Sequence, residues 1–255
     1  MQILDWDNFI EAGLPPKVKA TSITVGVFDG VHRGHKALID SIVNHDRRSS
    51  PVVITFKQNN KKTAEILSLR QKLAIFQDMG VAVIIIAEIS GSFKRLSGAE
   101  FISILQNKGK MRYMAIGRDF RCGHNQDTNA QVIQELNSEK NIPTDLIEEV
   151  TEDGLPISSS RIRAAILKGE LGEAQAMLGR PFVFDVIGAR KLESPHYNNE
   201  GFAYKVGSLE RACLPTGRFT VSLYDKNGNT KRTEIHIEKG IIRTPAYPDL
   251  EFIEF

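Results

Sequence analysis

Apolar positions in the first two thirds of the chain fall into short runs separated by amphipathic stretches. Residues 23–27, 52–56, 83–86, 113–116 and 146–150 are rich in β-branched or other apolar side chains and have the length of strands. The stretches between them carry helical spacing. Leu38, Ile39, Ile42 and Val43 share one face, as do Leu69, Leu73, Phe76 and Met79, with Gly80 placed as a C-terminal stop. Ser97-Gly-Ala-Glu100 reads as a capping box that opens a helix ending at Gly109, and a further helix is predicted at residues 131–140. Apolar strands alternating with helices predict an α/β fold with a parallel, doubly wound sheet.

After Pro181 the pattern changes. Residues 182–187, 218–224 and 234–237 read as short strands, and Lys226-Asn-Gly-Asn229 supplies a hairpin turn between two of them. No helical period is found beyond Leu178, and residues 193–201 read as an exposed loop. The chain is therefore expected to form two domains, residues 1–181 and residues 182–255, the second a small all-β domain.

Composition narrows the class. A chain of 255 residues can bury a substantial core, and a net charge of +2 gives no large field for nucleic acid or an anionic membrane. Cys122 and Cys213 lie far apart and offer neither a disulfide framework nor metal-ligand spacing. The longest apolar run, residues 81–87, is far short of a membrane span, and residues 1–16 lack the apolar core of a signal peptide. A soluble, cytoplasmic protein without nucleic-acid or membrane partners is expected; oligomeric state is left open.

The chemistry concentrates in Gly26-Val-Phe-Asp-Gly-Val-His-Arg-Gly-His35, where a predicted strand turns into a predicted helix. Helix N-termini attract phosphate, because their first N–H groups lack intrahelical partners and the dipole is positive there. Gly26, Gly30 and Gly34 allow close approach of backbone and ligand, and His32 and His35 can donate hydrogen bonds to charge building on phosphorus. A second helix start, Ile157-Ser-Ser-Ser-Arg-Ile-Arg163, combines hydroxyls with two arginines and suits a second anion site. Arg161 and Arg163 are two positions apart and should point in different directions. The carboxylates Asp145, Glu148, Glu149, Glu152 and Asp153 read as a solvated face, and no His/Cys/carboxylate metal cluster is visible.

The first segment resembles the HxGH motif of Rossmann-like nucleotidyltransferases. The order of motifs is similar to that of the prokaryotic FAD synthetase family, the bifunctional riboflavin kinase/FMN adenylyltransferases. Gly117-Arg-Asp-Phe-Arg-Cys-Gly123 resembles the family's GxDFxFG segment, residues 157–163 its ISSTxxR, and Leu178-Gly-Arg-Pro-Phe182 its LGRPY/F. The likeness covers residues 20 to 182. It implies an adenylyltransferase domain followed by a flavokinase-type β-barrel, with ATP, Mg²⁺ and FMN as reactants. His32, His35 and Arg163 would be catalytic. Gly26, Phe28, Asp29, Gly34, Ser159 and Ser160 would join Arg163 in binding ATP, and Thr55, Phe56, Asn59, Asp119, Phe120 and Arg121 would face the flavin substrate. No metal ligand is assigned.

Three segments depart from the family pattern. Thr55-Phe-Lys-Gln-Asn-Asn60 lacks the acidic residue and Pro-His-Pro that usually follow Thr-Phe, and His124-Asn-Gln-Asp-Thr-Asn129 replaces a basic, glycine-containing run. Where the family has its kinase segment GRxLGFPTAN, the chain reads Tyr197-Asn-Asn-Glu-Gly-Phe-Ala-Tyr-Lys-Val206, and no counterpart of the kinase's glutamate is found before Phe255. The resemblance thus implies FAD formation from FMN and ATP without riboflavin kinase activity. Two other readings fit the residues: another small-substrate adenylyl- or cytidylyltransferase of the superfamily, and a non-catalytic flavin- or nucleotide-binding module.

Overall fold

The structure, a computed structural model, describes residues 1–57, 63–91, 93–187, 189–192, 201–206 and 211–255. Their contacts divide the chain into two compact units: Met1–Asn60 with Leu73–Pro156, and Lys61–Lys72 with Ile157–Phe255. The helices Ser159–Lys168 and Leu171–Leu178 therefore pack in the second unit, although all the strands of its large sheet lie beyond Phe182.

The first unit is a Rossmann-like layer structure. Six strands pair in parallel in the order Gln2–Asp5, Val83–Ala87, Ser50–Phe56, Thr21–Val25, Met111–Gly117, Thr144–Ile147. Thr21–Val25 is buried along its whole length, as expected of a central parallel strand covered on both faces. From it the chain moves outward on one side and then returns to start Met111–Gly117 on the other. The strand order thus reverses between these two strands, and a crevice for ligands forms at their carboxyl ends. The segments leaving those ends are residues 26–32 and residues 118–129.

The predicted elements are present with shifted ends. Residues 23–27 contribute to a strand that begins at Thr21, and residues 146–150 to one at Thr144–Ile147. The capping box at Ser97 is complete: its hydroxyl accepts from the Glu100 N–H, and the Glu100 carboxylate accepts from the Ser97 N–H at 2.8 Å. The strand Gln2–Asp5 and the helix Trp6–Ala12 were not anticipated. Both are short, and the helix becomes stable only by tertiary packing. Its Trp6 ring stacks on Phe101 at 5.6 Å and meets Phe93 edge-on at 4.9 Å, while Phe9 is fully buried.

The second unit carries an antiparallel sheet ordered Val183–Asp185, Leu250–Glu254, Gly217–Asp225, Thr230–Glu238, Ile241–Pro245, Gly201–Lys205, Arg190–Leu192. Among the described residues no pairing joins its two edge strands. The Asn-Gly turn forms where expected. The Asp225 carboxylate accepts from the N–H groups of Asn227 and Asn229, and Gly228 takes φ +79°.

A buried carboxylate ties this unit together. Asp185, 2% exposed, accepts from Arg70 Nε at 2.7 Å and Nη2 at 2.6 Å, from Ser68 Oγ at 2.5 Å and from the Ile187 N–H at 2.9 Å. Arg70 also pairs with Glu251 at 2.6 Å and lies over the Phe252 ring at 4.2 Å. Burial opposes the charge on Asp185, but the bonds from Arg70 and Ser68 prevail and hold its carboxyl below the usual carboxylate range.

This network predicts an acid-sensitive contribution to stability. A carboxyl depressed in the folded state stabilises fully above its unfolded value of about 3.9 and loses that contribution as pH falls through the folded value. Asp185→Ala should cost about 2–3 kcal/mol at neutral pH, less than a fully buried pair, because the Arg70 side chain is 37% exposed. Urea unfolding at neutral and acidic pH checks this: the gap between wild type and variant should shrink as the pH is lowered, and a gap independent of pH would refute it.

Candidate functional site

The turn after Thr21–Val25 is built from strained backbone held on all sides. Gly26 donates its N–H to the Ile54 carbonyl at 3.1 Å, and Thr55 Oγ1 donates to the Val27 carbonyl at 3.1 Å. Phe28 then adopts φ +53°, Gly30 φ +83° and Val31 φ +37°. A left-handed conformation is ordinary for glycine but costs about 1–3 kcal/mol at residues such as Phe and Val. Burial compensates, since Phe28 and Val31 are 1% and 3% exposed. The Phe28 ring meets Phe76 edge-on at 5.5 Å and lies directly beneath Gly26, where an added Cβ would sit 3.1 Å from it. Asp29 is buried in the same turn.

The turn delivers the two histidines to the start of the helix Arg33–Asn44. His32 is the N-cap: its Nδ1 accepts from the His35 N–H at 3.3 Å. That bond requires a lone pair on Nδ1, so in the neutral ring the proton resides on Nε2. The two imidazoles stack with centroids 3.6 Å apart and planes inclined by 18°, and Phe28 supports His35 edge-on at 5.1 Å. Gly34 lies under the ring of His32, and a Cβ there would sit 3.2 Å from its Cε1 and Nδ1, a tight contact that would press on the imidazole. The Nε2–H of His32, with the His35 ring stacked on it beside a positive helix end, is suited to an anion or to charge developing on a phosphoryl group.

Within the second unit, Ser158 is the N-cap of Ser159–Lys168 and accepts from the Arg161 N–H at 3.2 Å. Ser159 and Ser160 are therefore the first helical residues rather than the cap. Arg161 forms an ion pair with Glu173 at 3.1 Å, whereas Arg163 is 9% exposed and donates from Nε to the Ala64 carbonyl at 2.6 Å. The two arginines thus have different partners. Arg180 of the LGRPF segment is pushed down to about 10 by burial.

The other side of the crevice is formed by the segment after Met111–Gly117. Asp119 and Arg121 are exposed, while Phe120 and Cys122 pack against the core. The Cys122 thiol is raised to about 12 by burial and, secondarily, by the charge of Asp127. This makes it a poor nucleophile near neutrality. Arg118 pairs with Glu148 at 2.5 Å. Thr55 is fully buried and shapes the turn at residues 26–28, Phe56 packs against Phe93 at 5.9 Å, and Lys57 pairs with Glu88 at 2.7 Å. Asn59 lies outside the described residues.

The sequence pattern misses one participant and gives two others a different role. Glu152, read as part of a solvated acidic stretch, forms an ion pair with Arg33, the first residue of the HxGH helix. Thr55 and Ser158 act through backbone bonds. The hydroxyl cap of the second helix start is legible from its place before an amphipathic helix and falls on Ser158; the partners of Glu152 and Thr55 lie far away in sequence and leave no local signal. Among the described residues no helix is long and apolar enough to cross a membrane, and no group of three or more His, Cys, Asp or Glu is placed to hold a metal ion.

Comparison with known proteins agrees with the motifs. The family model for FAD synthetase matches residues 14–161. The bifunctional riboflavin kinase/FMN adenylyltransferase of Escherichia coli (strain K12) is 31% identical over 170 residues, which cover 63% of this chain and 54% of that protein. The enzyme of that name from Pseudomonas fluorescens is 28% identical over 228 residues, covering 82% and 70%. The chain thus spans about half the length of the first of these relatives. A solved structure titled a macrolide-efflux protein from Streptococcus pneumoniae shares the fold, with TM-score 0.80 at 19% identity, covering 100% of this chain and 89% of that one. With more than half of its residues matched by the family model and the HxGH turn in place, the chain belongs to the FAD synthetase family.

Proposed function

We propose that the protein is an FMN adenylyltransferase that converts FMN and ATP to FAD and pyrophosphate. The observation that carries this reading is the stacked pair His32 and His35 on a strained turn beside the sheet's switch point, in a chain of the FAD synthetase family. GRDFRCG and LGRPF favour a flavin substrate over those of other nucleotidyltransferases.

In this reading a phosphate oxygen of FMN attacks the α-phosphorus of ATP, and the bond from that phosphorus to the β-phosphate oxygen breaks. FMN phosphate is already anionic, so no strong base is needed; the task is alignment and stabilisation of charge on the transferring group and on pyrophosphate. His32 would donate from Nε2, with His35 beside it. Gly26, Phe28, Asp29 and Gly34 would shape the ATP side. Ser159, Ser160 and Arg163 would contribute to triphosphate binding, and Thr55, Phe56, Asn59, Asp119, Phe120 and Arg121 to FMN. Mg²⁺ would arrive with ATP, and an ion bound mainly by phosphates and water needs only one or two protein carboxylates. The adenylyltransferase module would be residues 1–181. Residues 182–255 would form a kinase-type β domain without kinase activity, because the segment ending in Phe202-Ala-Tyr-Lys-Val206 lacks the GRxLGFPTAN pattern; its first part lies outside the described residues. The two cysteine thiols support a cytoplasmic location.

Incubation with Mg²⁺-ATP and either flavin tests the reaction. FMN should yield FAD and pyrophosphate, and riboflavin should remain unchanged. FMN formed from riboflavin would overturn the loss of kinase activity, and no FAD from FMN would overturn the main reading.

Replacing either His32 or His35 by Ala should lower the chemical rate by on the order of 10²- to 10³-fold, with a far smaller change in FMN affinity. Single-turnover kinetics distinguish the two, and near-normal rates in both variants would remove the histidines from the chemistry. Arg163→Ala should weaken ATP binding and turnover together, and Lys should rescue only in part, because a point charge does not replace the guanidinium fork. Arg161→Ala, which loses its pair with Glu173, should affect both much less; equal losses in ATP titrations would contradict the assignment.

A further inference from the structure

The segment that replaces the family's basic run is clamped to the start of a neighbouring helix. Asp127 Oδ1 accepts from the Gly98 N–H at 2.9 Å and from Thr128 Oγ1 at 2.8 Å. Gly98 opens the helix Gly98–Asn107, whose other cap is Ser97. His124 donates its N–H to the Leu96 carbonyl at 2.8 Å, and its Nδ1 lies 3.1 Å from the Lys94 carbonyl. Gly123, at φ +85°, meets Gly98 back to back. A Cβ on Gly123 would fall 2.2 Å from the Gly98 nitrogen, and one on Gly98 would fall 2.2 Å from Thr128. Asn125 and Gln126 also take left-handed φ, +55° and +58°. A loop this constrained, with Phe120 and Cys122 packed on the core at its base, is a fixed part of the crevice rim.

We propose that Asp127 is a positioning residue for the flavin substrate. By clamping residues 121–129 onto the helix start, it fixes the rim at which Phe120 offers an aromatic edge and Arg121 a cation to a phosphorylated aromatic ligand. The carboxylate acts on the protein's own N–H groups and complements the positive helix end. It makes no contact with substrate. This inference rests on the FMN adenylyltransferase reading.

Two variants separate positioning from charge. Asp127→Asn keeps an oxygen acceptor for Gly98, whereas Asp127→Ala removes it. Loss of a helix-start acceptor should loosen the loop and raise the KM for FMN by about tenfold in Asp127→Ala, with kcat and the KM for ATP little changed. Asp127→Asn should remain close to wild type. Amide hydrogen exchange at Gly98 and residues 121–129 should accelerate in the Ala variant and not in the Asn variant. Equal losses in both variants would overturn the proposal by showing that the charge itself acts on substrate. Faster exchange in Asp127→Ala with an unchanged KM for FMN would reduce the clamp to a structural role, and unchanged exchange would show that there is no clamp. If wild type forms no FAD, the adenylyltransferase reading fails. The clamp is then decided by exchange together with FMN fluorescence titration, where equal FMN affinity in wild type and Asp127→Ala overturns the proposal.

Discussion

A helix must satisfy its first N–H groups, and at Arg33–Asn44 the group that does so is an imidazole. That choice constrains everything around it. For His32 Nδ1 to reach the His35 N–H, the ring must fold back over position 34, where a Cβ would crowd it at 3.2 Å. The chain must arrive from the strand Thr21–Val25 through left-handed conformations at Phe28 and Val31. Those conformations persist because Phe28 is packed between Gly26, Phe76 and His35, and because Thr55 and Ile54 bind the backbone of the turn. Strain in the turn is offset by burial, and the result is a pair of imidazoles oriented before any substrate arrives.

The two sides of the crevice use different devices for the same end. On the histidine side, burial and aromatic packing fix the turn. On the side of Met111–Gly117, a carboxylate and paired glycines fix the loop against the helix Gly98–Asn107. Polar residues that could be taken for ligands are engaged by the protein itself: Lys57 with Glu88, Arg118 with Glu148, Arg33 with Glu152. The first two pairs are exposed and contribute little to stability, so their significance lies in where they hold the loops.

Much of this was legible in the chain. The alternation of apolar runs and amphipathic stretches identified the parallel sheet, and the HxGH segment lay at a strand-to-helix junction as its glycines suggested. The Asn-Gly turn at residues 226–229 and the capping box at Ser97 also followed from local chemistry. What escaped was non-local. Gln2–Asp5 is a short edge strand whose pairing with Val83–Ala87 no local pattern announces. Ser68 and Arg70 lie in an amphipathic stretch, yet they serve a carboxylate more than a hundred residues away. The roles of His124 and Asp127 are not assigned by the sequence, because polar residues in a turn look alike until their carbonyl and N–H partners are known.

The central claim, that the turn presets the imidazoles, is tested most directly by long-range ¹H–¹⁵N NMR of the histidine side chains at mildly alkaline pH. The account predicts that His32 in the ligand-free protein is the Nε2–H tautomer with an unprotonated Nδ1, and that this uniform state is lost when Gly34 is replaced by Ala. A His32 ring protonated on Nδ1, or one averaging between tautomers in the wild-type protein, would contradict it.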